Sequence, residues 1–125
     1  MSEVLGIGSD LVEVERFRLA RERRPHIDER LFSDDERAYA SRFRNPDPHL
    51  AARFGAKEAV MKAMGVGLWR FAMRDVEVVR LPSGQPILRL HGGAAALAEA
   101  RGVSGWHLTL THSESMALAV AVALG

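Results

Sequence analysis

The sequence contains no cysteine. That removes disulfide scaffolds, thiol nucleophiles and zinc–thiolate sites, and it agrees with a reducing, cytoplasmic setting. Aromatic residues are scarce, at 6%: five Phe, two Trp and one Tyr. A base-stacking platform needs several of them close together. An excess of charge is also missing, since 17 Lys and Arg stand against 16 Asp and Glu, a formal charge of +1. No global field draws a nucleic-acid backbone, so nucleic acid is not an expected partner. Long apolar runs are absent too. The longest, Met116 to Leu124, falls far below the ~20 residues that span a bilayer, so no membrane partner is expected. Met1 to Asp10 lacks a basic stretch followed by a long apolar run and does not read as a signal peptide. Repeats and low-complexity tracts are likewise missing.

What is present is the composition of a folded domain. The chain has 125 residues, 47% hydrophobic and 26% charged. That length predicts one domain over 1–125. Val4 to Gly8 reads as a buried strand ending at Asp10. Leu11 to Arg24 has helical spacing, with Leu11, Val14, Phe17 and Leu19–Ala20 toward the core. Ser33-Asp34-Asp35-Glu36 has the form of a capping box, which opens a helix running to about Arg44. Asn45-Pro46-Asp47-Pro48 breaks it. His49 to Met64 is the strongest helical stretch, closed by Gly65. Asp75 to Leu81 and Ile87 to His91 read as paired strands around a Pro82–Pro86 turn. An alanine-rich helix follows and ends near Arg101-Gly102. Trp106 to Ser113 and Ala117 to Ala123 form a final hairpin. Helices cluster early and antiparallel strands late, which predicts an α+β fold with a small antiparallel sheet packed with helices.

Four groups of residues carry chemistry. Asp10 follows Gly6-Ile7-Gly8 at a strand end, where a carboxylate is costly unless it is solvated, paired or on a metal. Taken by position alone it reads first as a helix N-cap or an exposed turn. Glu58 and Lys62 lie four apart on the strongest helix, with Phe54 one turn earlier, so the three share a face. An ordinary surface ion pair is the plain reading of that spacing. The rest of the helix is so apolar, however, that a polar cleft accounts better for the two charges. Thr111, His112 and Ser113 offer hydroxyls and an imidazole suited to phosphate oxygens. Arg16, Arg18, Arg21, Arg23 and Arg24 load the first helix with positive charge and suit an acidic partner.

Together these groups resemble the holo-acyl-carrier-protein synthase family, the small phosphopantetheinyl transferases, over nearly the whole chain. The resemblance rests on Gly6-Ile7-Gly8-Ser9-Asp10 with Arg16 beyond it, on Arg53-Phe54 through Lys57-Glu58 to Lys62-Ala63 and Gly65, and on Thr109-Leu110-Thr111-His112-Ser113. Gly55, Thr109 and Thr111 depart mildly from that pattern. So does the long Leu68–Arg74 stretch with Trp69 and Phe71.

The resemblance implies a homotrimer with active sites between subunits, and transfer of 4′-phosphopantetheine from coenzyme A to a serine of an apo-acyl carrier protein. Adenosine 3′,5′-bisphosphate would be released, in support of fatty-acid or polyketide biosynthesis. It implies Asp10, Glu58 and Lys62 as catalytic residues. Asp10 and Glu58 would ligate Mg²⁺, and Mn²⁺ suits the same oxygen donors. Lys62 would serve the departing phosphate, and either Glu58 or a metal-bound water would take the serine proton. Coenzyme A would contact Arg53, Phe54, Lys62, Gly65, Pro86, Thr111, His112 and Ser113. Carrier protein would dock on Arg16, Arg21, Arg23 and Arg24. Two other readings stay open at this level. One is a Mg²⁺-dependent hydrolase of a nucleotide pyrophosphate, using the same carboxylates. The other is an RNA-binding module led by the arginine helix, which leaves Asp10, Glu58 and Lys62 without a role.

Overall fold

The computed structural model describes residues 3–125. Its elements run β1 (Val4–Glu13), α1 (Val14–Glu22), α2 (Ile27–Leu31), α3 (Asp34–Ala40), α4 (Asp47–Ala63), β2 (Val76–Arg80), β3 (Pro86–Leu90), α5 (Gly92–Ala100), β4 (Gly105–His112) and β5 (Met116–Leu124). A short 3-10 turn, Met73–Asp75, precedes β2. The strands form two antiparallel sheets: β1-β5-β4, and the two-stranded ribbon β2-β3. This is the expected α+β architecture.

α4 is the axis of the molecule. Pro48 sits in its first turn, where a missing N–H costs nothing, so the helix starts at Asp47 rather than His49. At its other end Gly65 takes φ 72°, its N–H donates to the Lys62 carbonyl and the Val66 N–H to that of Met61. That is a Schellman closure, and it needs a residue tolerant of positive φ. Leu50, Ala51, Ala56, Ala59, Val60 and Met61 are all buried, because α4 has the three-stranded sheet on one side and α1, α3 and β2 on others.

Three expectations are corrected. β1 does not stop at Asp10 but pairs with β5 as far as Glu13 opposite Met116. Leu11 is therefore a strand residue, 62% exposed, and α1 begins only at Val14. Nor is the strand buried on both faces. Gly8, Asp10 and Val12 face α4, while Ile7 (66% exposed) and Leu11 point to the open side of the sheet. Leu118, Val120 and Val122 of β5 lie opposite Leu11, Ser9 and Ile7 and extend that apolar face. The Ser33 capping box is present in both directions, but α3 ends at Ala40.

Candidate functional site

Asp10 reaches α4 because β1 carries almost no side chain where the helix crosses it. A Cβ on Gly6 would stand 1.9 Å from the Ala63 carbonyl oxygen, and one on Gly8 1.9 Å from that of Ala59. Backbone lies directly on backbone there. Two residues further along, Asp10 Oδ2 lies 3.8 Å from the position a Cβ would take on Gly55. Lys62 Nζ donates to the Ser9 carbonyl at 3.0 Å and to Asp10 Oδ1 at 3.3 Å. The Asp10 side chain is 13% exposed, and that of Lys62 55%.

Asp10 and Glu58 line the same cleft, and each influences the other's titration. Burial raises the pKa of Asp10 above its ordinary value, against the hydrogen bond and charge of Lys62. Burial also raises Glu58, with the negative charge of Asp10 adding and Lys62 opposing. Two half-buried carboxylates and one exposed ammonium leave an excess of negative charge in a site partly closed to water. That is the electrostatic signature a hard divalent cation relieves, and the donors are all oxygen. Among the described residues no group of three or more His, Cys, Asp or Glu could hold a metal ion. The cleft in front of the pair has a volume of about 470 Å³ and includes Arg16 and Phe54. The Phe54 ring packs 4.9 Å from that of Phe17, which fixes this edge of α4 against α1.

Arg53 and His112 are not in that cleft. Arg53 is five positions before Glu58, so at about 100° per residue the two project about 140° apart. Arg53 is 2% exposed, with its guanidinium 4.2 Å from the centre of the Tyr39 ring and its Nε buried without a hydrogen-bond partner. It borders a second pocket of about 590 Å³, with Tyr39, Arg42, Phe43, Arg80 and Arg89. Sequence reading missed these neighbours, and nothing local in the sequence signals them. His112 lies beside this group, 5.0 Å from His49, which stacks on Phe43 at 3.7 Å. Burial, then the charges of His112, Arg53 and Arg80, hold His49 below the usual imidazole pKa. A cluster of cationic groups with an orphaned donor suits a phosphate.

The other expected residues are spread more widely. Gly65 and Lys62 share a hollow with Arg101, whose guanidinium donates to the Met64 carbonyl. Pro86 pairs opposite Arg80 on the β2-β3 ribbon. Thr111 is exposed on the face of β4 opposite to His112. Ser113 Oγ accepts from the amides of Ser115 and Met116, so it is engaged in the β4–β5 turn. On α1, Arg21 is held by Asp28 and Asp47, both at 2.7 Å, while Arg18 pairs with Glu15 and Glu22. Arg16, Arg23 and Arg24 are exposed.

Sequence reading also missed Lys57, the neighbour of Glu58. Its ammonium is fully buried, 2.8 Å from Glu36 Oε1, and it donates to the Val76 carbonyl. Glu36 Oε2 accepts from the Val78 amide. One ion pair thus ties α4 to α3 and β2 behind the reactive face.

A carboxylate pair on a strand and a helix, with a lysine one turn on and a cationic pocket elsewhere, suits a ligand that carries a charged pyrophosphate. Residues 6–121 match the model of the 4′-phosphopantetheinyl transferase superfamily, and the chain belongs to that superfamily. Its relatives narrow the class. The chain is 45% identical over 125 residues to the holo-[acyl-carrier-protein] synthase of Streptomyces griseus subsp. griseus, covering 98% of this chain and 99% of that protein. It is 40% identical over 119 residues to that of Caldanaerobacter subterraneus subsp. tengcongensis, covering 95% and 94%. Among solved structures, the holo-(acyl-carrier-protein) synthase of Bacillus anthracis, determined in complex with CoA (3′,5′-ADP), superposes with a TM-score of 0.81 at 29% identity, covering 98% of this chain and 97% of that one.

Proposed function

We propose that this chain transfers the 4′-phosphopantetheine arm of coenzyme A to a serine hydroxyl of an apo-acyl carrier protein, releasing adenosine 3′,5′-bisphosphate. The observation that carries the reading is that Asp10 and Glu58 line one cleft and that Lys62, one turn from Glu58, pairs with Asp10 at 3.3 Å, in a member of the phosphopantetheinyl transferase superfamily. The serine oxygen forms a bond to the phosphorus nearer the pantetheine, and the bond from that phosphorus to the bridging pyrophosphate oxygen breaks. Either Glu58 or a water beside it would accept the serine proton. Lys62, the exposed cation of the site, is placed to donate to the oxygen that departs. Asp10 and Glu58 would hold Mg²⁺, which when bound neutralises pyrophosphate charge. Arg23 and Arg24, with Arg16 at the rim of the cleft, present the basic surface for an acidic carrier.

The active unit of this reading is a homotrimer working in the cytoplasm. The open sheet face with Ile7, Leu11 and Leu118 is the kind of apolar surface that a further copy covers. The distance around α4 between Arg53 and Glu58 supports sites shared between copies, in which one chain gives the carboxylates and its neighbour the cationic pocket. Mixing two inactive proteins, Glu58→Gln and Arg53→Ala, after reversible dissociation should then restore part of the turnover. No recovery would refute the shared site. The reaction itself is tested by the intact mass of apo-carrier after incubation with the protein, coenzyme A and Mg²⁺, with and without EDTA. A gain of one phosphopantetheine, lost with EDTA, is expected. Hydrolysis of coenzyme A with no gain on any carrier would refute the transfer.

A further inference from the structure

Three guanidinium groups converge on one ring. Tyr39 lies in the last turn of α3. Its ring centre is 4.2 Å from the Arg53 guanidinium, 5.3 Å from that of Arg80 and 5.7 Å from that of Arg42. All three fall within the ~6 Å over which an aromatic face attracts a cation. They come from α4, from the end of β2 and from the segment after α3, so three parts of the chain meet at this ring. Phe43 approaches it edge-on at 5.2 Å and His49 at 6.0 Å, which fixes its plane. Arg53 lies nearest. Burial disfavours the Arg53 charge, and Arg80 adds to the cost. Glu36, a carboxylate that acts on Arg53, is committed to Lys57 at 2.8 Å. Nη1 of Arg53 donates to the His49 carbonyl at 3.3 Å, while Nε is buried without a partner. The pocket that these groups border is lined by four arginines and one carboxylate, Asp35.

We propose that Tyr39 is a positioning residue for phosphate recognition: its ring holds the Arg53 guanidinium and gathers Arg80 and Arg42, so that their N–H edges stay free for a phosphate monoester. The physical reason is what a ring leaves open. A carboxylate counter-ion would occupy the guanidinium fork through paired N–H···O bonds, and a ligand would have to displace it. An aromatic face attracts the same cation through its quadrupole and takes none of its donors. It offsets the repulsion among the arginines without competing for the anion. A guanidinium held in a fixed plane then matches a phosphate bidentately. The ring does this rather than the hydroxyl, so Phe serves in its place and Leu does not. The inference rests on the transfer reaction given above, which supplies the phosphate. Coenzyme A carries a pyrophosphate, which belongs with the carboxylates and Lys62, and a separate 3′-monoester on the ribose. Arg53 projects away from Glu58 around α4, so the monoester is the group left for this pocket.

Titration calorimetry compares coenzyme A with 3′-dephospho-coenzyme A, which lacks only the monoester. The unaltered protein should bind coenzyme A the more tightly. Tyr39→Leu should weaken coenzyme A about five- to tenfold and leave the affinity for the dephospho form where it was. Tyr39→Phe, which keeps the ring, should keep the discrimination between the two ligands. Pentafluorophenylalanine at position 39 keeps the ring and its packing but reverses the quadrupole, and it should lose the discrimination as Tyr39→Leu does. A role in packing alone would weaken both ligands together in Tyr39→Leu and spare the fluorinated protein; that pattern overturns the proposal. Loss of discrimination in Tyr39→Phe overturns it as well, as does undiminished discrimination in Tyr39→Leu. Equal binding of the two ligands by the unaltered protein would place the monoester elsewhere and leave Tyr39 nothing to position. Failure of the unaltered protein to bind either ligand is a distinct result, which would defeat the transfer reaction and this inference with it.

Discussion

Replacing Lys57 by Met should unfold much of what holds the reactive face in place. Lys57 and Glu36 have no side-chain exposure at all and lie 2.8 Å apart. Met fills nearly the same volume, so little of the loss comes from packing. What remains is the Glu36 carboxylate, still accepting from the Ser33 and Val78 amides but deprived of its cation. Breaking a buried pair from one side costs about 3–5 kcal/mol. For a chain of this length that corresponds to a fall in Tm of roughly 10–20 °C. Scanning calorimetry at fixed protein concentration measures it, since any assembly would shift Tm by mass action. The double variant Lys57→Met with Glu36→Gln, which removes the stranded charge, should recover a large part of the loss. Turnover measured well below the lowered Tm should fall less than in Glu58 variants, because Lys57 touches no reactant. A loss below about 1 kcal/mol in the single variant, or no recovery in the double, would refute the argument that the pair is a desolvated, mutually dependent unit.

The remaining predictions concern the site and its surroundings. Glu58→Gln and Asp10→Asn should each lower turnover at least about a hundredfold, some 2.7 kcal/mol in the barrier. Both should leave Tm equal to or above that of the unaltered protein without metal. The sign follows from the raised pKa of each carboxyl: its ionised form is disfavoured in the folded state, so a neutral isostere relieves rather than adds cost at neutral pH. A lower Tm would contradict this. Arg23→Glu with Arg24→Glu should raise the KM for the carrier about tenfold and spare coenzyme A. The unaltered protein's carrier KM should rise with salt more steeply than the variant's; equal salt slopes would place the carrier elsewhere. Glu77 is held below the usual carboxylate range: burial works to raise it, but hydrogen bonds with Ser33 and His91 outweigh that. Its contribution to stability is therefore present above the ordinary carboxylate pKa and lost as pH falls through the folded value. Melting curves from neutral to acid pH should converge with those of Glu77→Gln at the acid end; curves that stay parallel would refute it.

Much of this was legible in the chain because it is local. The Ser33 capping box is written within four residues, and the Gly65 closure within a single turn. The spacing of Glu58 and Lys62 sets their shared face on any helix. What could not be read depends on pairing at long range. Leu11 fits a helical phase with Val14 as well as it fits a strand, and β5, over a hundred positions away, decides the matter by pairing as far as Glu13. Ser33 and Glu36 announce a cap, but nothing near Glu36 announces that its other task is Lys57, 21 positions on. Arg53 and Glu58 appear in one motif, and their separation around α4 follows from the helical period once each is given a side. The aromatic and cationic group of Tyr39, Phe43, His49 and Arg80 is assembled from three separate segments, so no window of sequence contains it.

The seat of α4 on Gly6 and Gly8 has a consequence for how this protein can change over time. The spacing between Asp10 and Glu58 is set where two main chains touch, with no side chain between them to act as a spacer. Substitutions among the valines, alanines and methionines of the core can alter their own packing without propagating into the distance between the two carboxylates. The chemistry is thus insulated from drift in most of the molecule. The same arrangement makes that spacing most vulnerable at two positions, where a single added carbon would act as a wedge and part the strand from the helix.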